Sequence, residues 1–487
     1  MLFPTLDFAI FFVVVFAAAW ALRWRAVPRK AWLLAASYFF YGYWDWRFCF
    51  LLLTASLVAW GAGLAISRAH DERGRRRIVG ICAAVLLGIL GVFKYYEFFV
   101  TSLGDLLRGV GLERDLPLLA IVLPVGISFF TFQAISYVVD VYRGEVRAKR
   151  SPLDLLLYVS FFPQLVAGPI VRAADFLPQL ERTPRLTRYM LASGLTLIAV
   201  GLLKKMVIAN WLATHLVDDV FLQPGGYDTA FLLAAVYGYA VQIYCDFSGY
   251  SDIAIGTALL LGYRFRENFR QPYRAATLQE FWRRWHISLS QWLRDYLYVP
   301  LGGNRRGPVT TYRNLFLTMF LGGLWHGAAW NFVIWGTLHG GVLGIERFWR
   351  RRLGVERTPD AAFKRIAWLP RPVTMPIVWK VVGVLVTFHF VCLAWIFFRA
   401  QDFATATAVV AGIAAMEGDF SALSAFQALL IVVPLLFHFT PGDLDVRIAR
   451  AVRRWPVWAM ALLFAFAVLV IEWIAPPGTA PFIYFQF

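Results

Sequence analysis

The chain has 487 residues, of which 60% are hydrophobic, and its formal net charge is +17. Several continuous apolar runs approach or exceed the roughly 20 residues that a helix needs to cross a bilayer. This composition excludes a soluble enzyme and predicts an all-α polytopic membrane protein. Because the basic residues cluster in short loops between the runs, membrane orientation and lipid headgroups explain the charge better than nucleic acid does.

The N-terminal part predicts five crossings, at residues 8–22, 31–43, 48–66, 78–100 and 116–141. The loops 23–30, 68–77 and 143–150 are basic, whereas 101–115 is slightly acidic. Loops rich in Lys and Arg face the cytoplasm, so we expect the N-terminus outside. No basic residue precedes the first run, and we therefore expect no cleaved signal peptide.

Residues 151–172 lie between basic loops, but Pro163, Gly168 and Pro169 interrupt their apolar middle. We expect a re-entrant or interfacial segment that is covered by protein. Crossings resume at 190–208 and 230–261, and the second run is long enough to tilt or break. It contains DFSGYSD at 246–252. These two carboxylates indicate either a polar bend that holds helices together or a functional group.

Residues 275–300 predict one amphipathic helix. It begins with a capping-box pattern from Thr277 to Glu280 and ends at Gly302 and Gly303. Helical spacing gives it an apolar face and a separate polar stripe. The face comprises Phe281, Trp285, Leu289, Trp292 and Tyr296, and the stripe comprises Arg283, His286, Ser290 and Arg294. Such a helix lies in the membrane interface or lines a polar funnel.

Residues 315–346 predict two short crossings or one buried hairpin. The run includes His326 within FLGGLWHGAAWN at 320–331, and His339 in its second half. An ionisable side chain at membrane depth is a functional-site candidate, and imidazole can act as a base near neutral pH. The alternative is a buried imidazole that only hydrogen-bonds a neighbouring helix.

The remaining crossings are expected at 377–398, 426–439 and 455–474, which gives ten to twelve in all. Acidic loops at 211–228 and 401–423 belong outside, as does 476–487. Basic loops at 264–274, 305–313, 347–371 and 447–454 belong inside. We expect one membrane-embedded domain, with N-terminal spans (1–150), a catalytic core with re-entrant segments (151–350) and C-terminal spans (351–487).

Several motifs resemble the membrane-bound O-acyltransferase family, and within it the bacterial alginate O-acetyltransferase branch. The most specific are FWRRWHISLS at 281–290, RDYLYVPLGG at 294–303, LWHGA at 324–328 and WGTLHG at 335–340. Further matches are YFFYGY at 38–43, KYY at 94–96, PVGISFFTFQ at 124–133, FPQLVAGP at 162–169, DFSGYSD at 246–252, WIFFR at 395–399 and PFIYFQF at 481–487. The resemblance runs nearly end to end.

The resemblance implies a ring of membrane helices around a thin centre with a tunnel. It implies that His326 is catalytic and that His286 is the second active-site position, which is His in bacterial polymer-acetylating members and Asn or Asp in many eukaryotic ones. His339 matches a further recurrent histidine. We expect supporting roles for His339, Trp285, Trp325, Asn331 and Asp295.

The resemblance also implies a donor and partners. Acetyl-CoA would dock from the cytoplasm, and its phosphates would meet Arg294, Asn304, Arg305 and Arg306 within or near the basic segments. We expect no permanently bound cofactor and no metal; the four scattered cysteines have no metal or disulfide spacing. The acetyl group would cross the bacterial inner membrane to partners of the SGNH-hydrolase type, which acetylate an exopolysaccharide such as alginate.

The sequence leaves three alternatives to this function. The acceptor could be another envelope glycan, such as peptidoglycan, cellulose or teichoic acid, because the core motifs would be the same. A glycolipid transporter would need a wide polar cavity with several charges, whereas this sequence offers few intramembrane charges. The intact histidines argue against a catalytically silent scaffold.

Overall fold

The computed structural model describes residues 1–112, 119, 121–166, 168–352, 377–418 and 423–478. Regular structure in these residues is entirely helical, which confirms the predicted all-α class. Some expected segments fall wholly or partly outside the described residues. These are the start of the crossing 116–141, the end of the loop 101–115, parts of the loops 347–371 and 401–423, and most of 476–487.

Six helices within the described residues are long and apolar enough to cross a membrane: Phe48–Arg68, Glu72–Gly109, Arg188–Leu222, Thr229–Leu260, Ile377–Arg399 and Val457–Ile474. Shorter apolar helices are Leu6–Ala21, Phe403–Ala414 and Ala425–Phe437. Large apolar side chains remain exposed on these helices; Trp473, for example, is 87% exposed. Such surfaces suit a lipid environment, and the protein is a multi-pass membrane protein.

The chain forms two compact units. Unit 1 contains Met1–Ala213, Gln242–Asn268 and Asp443–Phe487, and unit 2 contains Thr214–Val241 and Phe269–Gly442. Two helices, Arg188–Leu222 and Thr229–Leu260, are divided: each has one part in unit 1 and the other part in unit 2. The functional division into 1–150, 151–350 and 351–487 stays a prediction.

Unit 1 holds the N-terminal helices and the last two helices of the described residues. Besides its parts of Arg188–Leu222 and Thr229–Leu260, its helices are Leu6–Ala21, Ala26–Gly42, Phe48–Arg68, Glu72–Gly109, Ile127–Arg143, Pro152–Ser160, Phe162–Leu165, Ala173–Leu180, Leu444–Val452 and Val457–Ile474. The expected crossing 78–100 is part of a longer helix of 38 residues, Glu72–Gly109.

The broken segment at 151–172 has the form that its prolines predict. Helix Pro152–Ser160 stops before Phe161, and a four-residue helix, Phe162–Leu165, follows. The backbone N–H of Phe162 donates to Oγ of Ser37, 3.1 Å away, and Phe161 and Phe162 are fully buried. The interrupted backbone is therefore covered by protein, as membrane-buried irregular backbone must be.

The carboxylates of 246–252 do not produce the expected bend, because helix Thr229–Leu260 runs through them without interruption. Asp246 lies 2.8 Å from Lys205 Nζ, and Asp252 lies 2.7 Å from Lys204 Nζ. Both lysines belong to the neighbouring helix Arg188–Leu222, so each carboxylate has a cation beside it. The pairs hold two helices of unit 1 together, which supports the structural interpretation of these aspartates.

Two predicted loops contain helical turns. Residues 211–228 begin with the end of Arg188–Leu222, including a π-helical stretch at Ala213–Val217. Residues 401–423 contain helix Phe403–Ala414, which Asp402 caps by accepting a hydrogen bond from the N–H of Thr405, 2.7 Å long. The prediction of plain loops was wrong because acidic residues at these positions cap and begin helices as well as fill loops.

Unit 2 contains the motif-rich part of the sequence. Its helices, besides its parts of the two shared ones, are Leu278–Arg284, Ile287–Leu293, Arg294–Tyr298, Pro308–His326, Trp330–Arg352, Ile377–Arg399, Phe403–Ala414 and Ala425–Phe437. The run 315–346 forms an antiparallel pair of helices. We call Pro308–His326 the first hairpin helix and Trp330–Arg352 the second hairpin helix.

The single amphipathic helix expected at 275–300 is wrong. Helix Leu278–Arg284 ends before Trp285, and helix Ile287–Leu293 begins after His286, which has a φ of 41°. A left-handed residue cannot continue an α-helix, so the chain turns at this point. The two ends of the predicted segment are confirmed: the side chain of Thr277 caps Leu278–Arg284, and Gly302 and Gly303 have positive φ where the segment stops.

Candidate active site

Glycines bring the two hairpin helices into close contact and thereby position His326. A Cβ atom on Gly336 would lie 2.5 Å from the carbonyl oxygen of Met319, and one on Gly323 would collide with the carbonyl oxygen of Phe332. Only glycine permits this approach of the two backbones. His326 is the last residue of the first hairpin helix, so the helix crossing fixes the place of its imidazole.

His326 is buried among aromatic rings. Its imidazole centre lies 5.0 Å from the ring of Trp325, 4.9 Å from Trp335 and 5.2 Å from Phe398. The ring contacts are near perpendicular, and His326 is 4% exposed. The imidazole is thus held in a fixed orientation in a mostly apolar surrounding, which is suited to a general base that works without bulk water.

His286 is fully buried at the break between its two short helices. Its Nδ1 lies 3.4 Å from Oγ of Ser288, and its ring packs near those of Phe269 and Trp325, with centres 6.2 Å away in each case. Burial lowers the pKa of His286 to about 3, so this imidazole is neutral at physiological pH. It does not lie on an exposed polar stripe, because the break in the helix turns it inward.

His339 is fully buried on the second hairpin helix. The indole N–H of Trp282 donates a hydrogen bond of 3.3 Å to Nδ1 of His339. The imidazole centre lies 4.6 Å from the centre of Trp335 and 5.3 Å from that of Phe390. Helix Leu278–Arg284 and the second hairpin helix are thereby joined at this histidine.

Aromatic rings connect His286, His326 and His339 of unit 2 in a continuous series. His286 contacts Trp325, Trp325 contacts His326, His326 contacts Trp335, and Trp335 contacts His339. The structure therefore brings together the predicted catalytic residues His286 and His326 and the predicted supporting residues His339 and Trp325. The residues lie up to 53 positions apart in sequence, and the hairpin and the broken helix bring them together.

Two more predicted residues support this cluster. Trp285 is buried and packs on Phe281 and Trp395, with ring centres 5.6 and 5.1 Å away. Asn331 is the second residue of the second hairpin helix, and its Nδ2 donates to the carbonyl oxygen of Ala400, 2.8 Å away. Asn331 thus ties the tip of the hairpin to the end of helix Ile377–Arg399.

The remaining predicted residues lie on the surface of unit 2. Arg294 forms an ion pair with its neighbour Asp295, with an N–O distance of 2.6 Å. Asn304, Arg305 and Arg306 are exposed in a loop between Tyr298 and Pro308. This loop owes its form to glycines with positive φ, Gly302, Gly303 and Gly307, and to Asn314, whose Nδ2 donates to the carbonyl oxygens of Leu301 and Gly303. Its exposed guanidinium groups suit an anionic ligand.

Three tryptophans of the site were not selected from the sequence. Trp282, Trp335 and Trp395 all contact a histidine or Trp285 directly. Each lies in a motif that carries the family resemblance, and Trp282 and Trp335 are also three or four positions from a predicted site residue, which was the available signal. Tryptophan in a membrane protein is common in interfacial belts, however, and composition alone does not separate such a residue from a buried one.

Comparison with known proteins gives matches over most of the chain. The model of MBOAT, the membrane-bound O-acyltransferase family, matches residues 143–391. A probable alginate O-acetylase of Pseudomonas putida is 38% identical over 100% of both chains. A probable alginate O-acetylase of Pseudomonas aeruginosa is 43% identical over 82% of this chain and 72% of its own length. A peptidoglycan O-acetyltransferase of Helicobacter pylori is 37% identical over 80% and 74%, respectively.

Proposed function

Because the chain belongs to the membrane-bound O-acyltransferase family and is therefore an O-acyltransferase, we propose that it passes acetyl groups from cytoplasmic acetyl-CoA across the bacterial inner membrane for O-acetylation of an exopolysaccharide such as alginate. The relatives from two Pseudomonas species support the choice of polymer, since both are probable alginate O-acetylases. The buried imidazole of His326, fixed between aromatic rings at the tip of a tightly packed hairpin, is the observation that carries the proposal.

His326 acts as the general base in this proposal. It accepts the proton of an acceptor hydroxyl while that oxygen attacks the thioester carbonyl carbon. The tetrahedral intermediate then releases the CoA thiolate as the C–S bond breaks, and the imidazolium returns the proton to the sulfur. A well-placed base contributes about 10²–10⁴ in rate. His286, which stays neutral, orients the thioester.

The donor binds from the cytoplasmic side in this proposal. Arg294, Asn304, Arg305 and Arg306 meet the phosphate groups of acetyl-CoA, which is supported by their exposure and by the basic character of the loop. Arginine binds phosphate with two parallel hydrogen bonds, so such a loop gives both charge and direction. Outside, partner proteins of the SGNH-hydrolase type receive the acetyl group and transfer it to the polymer.

The first experiment replaces the base. The variant His326→Ala, expressed in a deletion strain without paralogues, should abolish O-acetylation of the isolated polymer while the protein still accumulates in the membrane. A matched control is Thr337→Ala, because Thr337 is exposed on the second hairpin helix. Normal acetylation with His326→Ala would contradict the catalytic assignment. An acetyl-CoA hydrolysis or exchange assay with purified protein separates this function from transport, since a transporter would show no activity.

Peptidoglycan is the second candidate acceptor, because the Helicobacter pylori relative is a peptidoglycan O-acetyltransferase and covers most of this chain. The same deletion strain distinguishes the two. Loss of acetyl groups from the exopolysaccharide with unchanged muropeptides supports the first proposal. Loss from the muropeptides alone identifies peptidoglycan as the acceptor.

A further inference from the structure

The hydrogen bond between Trp282 and His339 fixes which nitrogen of the imidazole carries the proton. An indole nitrogen can only donate, so Nδ1 of His339, 3.3 Å away, must be the unprotonated acceptor. The neutral ring then has its hydrogen on Nε2. His339 is therefore held as a hydrogen-bond donor, and its one acceptor nitrogen is already occupied.

The donor on His339 belongs to a group of similar donors. Within the described part of the chain, Nε2 of His339 and Nε1 of both Trp335 and Trp395 are buried without a hydrogen-bond partner. Each of these side chains is 0–1% exposed. Buried polar groups are usually satisfied, because an unmade hydrogen bond costs free energy. Three such donors in contacting side chains indicate that an acceptor is bound there during the reaction.

One of the donors, Trp335, lies beside the proposed base, and the other two contact Trp335. The ring of Trp335 has its centre 4.6 Å from that of His339, 5.9 Å from that of Trp395 and 4.9 Å from that of His326. All three groups donate and none accepts. A water molecule or hydroxyl would bring hydrogens of its own, whereas the carbonyl oxygen of a thioester or ester only accepts. The chemistry of the cluster therefore fits an acyl carbonyl group.

We propose that the Nε2–H of His339 donates to the carbonyl oxygen of the transferred acyl group and stabilises the oxyanion that forms there. The inference rests on the proposed function. When the acceptor oxygen bonds to the carbonyl carbon, the electron pair of the C=O bond moves to the oxygen and is held by this N–H. When the C–S bond breaks, the pair returns and the C=O bond is restored. His339 gives up no proton, and the indole N–H of Trp335 is the second donor.

Trp335 contacts the imidazoles of both His326 and His339. The ring centre of Trp335 lies 4.9 Å from that of His326 and 4.6 Å from that of His339. A reacting acyl carbon needs a base on the attacking oxygen and donors about 2.7–3.1 Å from its oxyanion. Trp282 is a positioning residue in this arrangement, because it acts only by keeping the proton of His339 on Nε2.

The test compares two amides at position 339. His339→Gln can place an N–H near the position of Nε2, whereas His339→Asn places its amide near Nδ1. With acetyl-CoA as substrate, His339→Asn should lower kcat about 10²–10³-fold with little change in KM, as expected for the loss of an oxyanion donor. His339→Gln should restore kcat to within about tenfold of the wild type. Equal kcat values for Asn and Gln would overturn the proposal.

Trp282→Phe tests the positioning role. Removing the indole N–H lets the proton move to Nδ1, and kcat should fall less than in His339→Asn. In protein labelled with ¹⁵N-histidine, the His339 signals should show a protonated Nε2 in the wild type and a mixture of tautomers in Trp282→Phe. A wild-type signal with the proton on Nδ1 would contradict the assignment.

Infrared spectroscopy separates failure of this inference from failure of the proposed function. In His326→Ala protein, bound [1-¹³C]acetyl-CoA should show a C=O band shifted to lower frequency, and the additional change His339→Asn should remove the shift. A bound thioester whose band is the same in both proteins overturns the role of His339 alone. Absence of a bound thioester in both proteins overturns the proposed function and this inference with it.

Discussion

His286 adopts a backbone conformation that non-glycine residues rarely accept. Its φ of 41° lies in the left-handed region, which costs about 1–2 kcal/mol for an ordinary L-residue. Asparagine or glycine would fill this place with less strain. The conformation directs the chain from one short helix into the next and buries the imidazole beside Phe269 and Trp325. Strained residues cluster at functional sites, and this histidine is linked to the proposed base through the ring of Trp325.

The lowered pKa of His286 predicts a pH-dependent stability. The folded protein binds this proton only near pH 3, whereas the unfolded chain binds it below about pH 6.5. Between these values the unfolded state holds more protons, so the free energy of unfolding falls as the pH decreases from 6.5, by at most about 1.4 kcal/mol per pH unit. We expect the unfolding midpoint of detergent-solubilised protein to decrease from pH 7.5 to 5.5.

His286→Asn is the matched variant for this measurement, since asparagine accepts positive φ and does not titrate. Its unfolding midpoint should fall less between the two pH values, because the contribution of one histidine has been removed. If the midpoint fell equally in the wild type and the variant, His286 would not cause the pH dependence. The lowered pKa of His286 in the folded protein would then be contradicted.

At the scale of elements, the close packing of the two hairpin helices depends on some of their glycines and not on others. Gly336 meets the carbonyl of Met319 at the crossing of the two hairpin helices, whereas a Cβ on Gly341 would meet nothing within 4 Å. Both glycines lie on the second hairpin helix, five residues apart. The pair therefore separates the effect of close packing from the general effect of replacing glycine within a helix.

We expect Gly336→Ala to destabilise the protein by about 1–3 kcal/mol, because the backbones must move apart. The same shift would displace His326, so acetylation should fall with stability. Gly341→Ala should leave the protein unchanged or raise its stability by up to about 1 kcal/mol. Unfolding midpoints and polymer acetylation measure both effects. Equal behaviour of the two variants would contradict the role assigned to the crossing.

How far the elements follow from sequence depends on whether their signals are local. The start of Leu278–Arg284 at Thr277 and the end at Gly302 and Gly303 are confirmed, because caps and glycines act on their immediate neighbours. The break at His286 was missed because positive φ is uncommon even for histidine, and the helical spacing of the polar residues favoured a continuous helix. The pairing of Asp246 with Lys205 was missed for another reason: the partners lie 41 residues apart and meet only through helix packing.

For the whole molecule, the charge pattern and the hairpin together suggest a direction for the reaction. The first hairpin helix begins beside Arg305 and Arg306, and the second ends with Arg350, Arg351 and Arg352. By the positive-inside rule, we expect both basic ends on the cytoplasmic side. The first hairpin helix has 19 residues, so His326 lies about 28 Å along its axis from that end. In the proposed function, a base at the far end of the hairpin from the basic loop would act where the acceptor hydroxyl arrives.

This orientation predicts where single cysteines react with a membrane-impermeant maleimide. Val309 is 81% exposed beside the basic loop, and Ala415 is exposed at the end of helix Phe403–Ala414 in the acidic region. In a background with the four native cysteines replaced, Ala415→Cys should react in intact spheroplasts, and Val309→Cys only after permeabilisation. The reverse pattern would place acetyl-CoA docking at the acidic face. If both cysteine variants reacted from the same side of the membrane, the use of loop charge to assign topology would be contradicted.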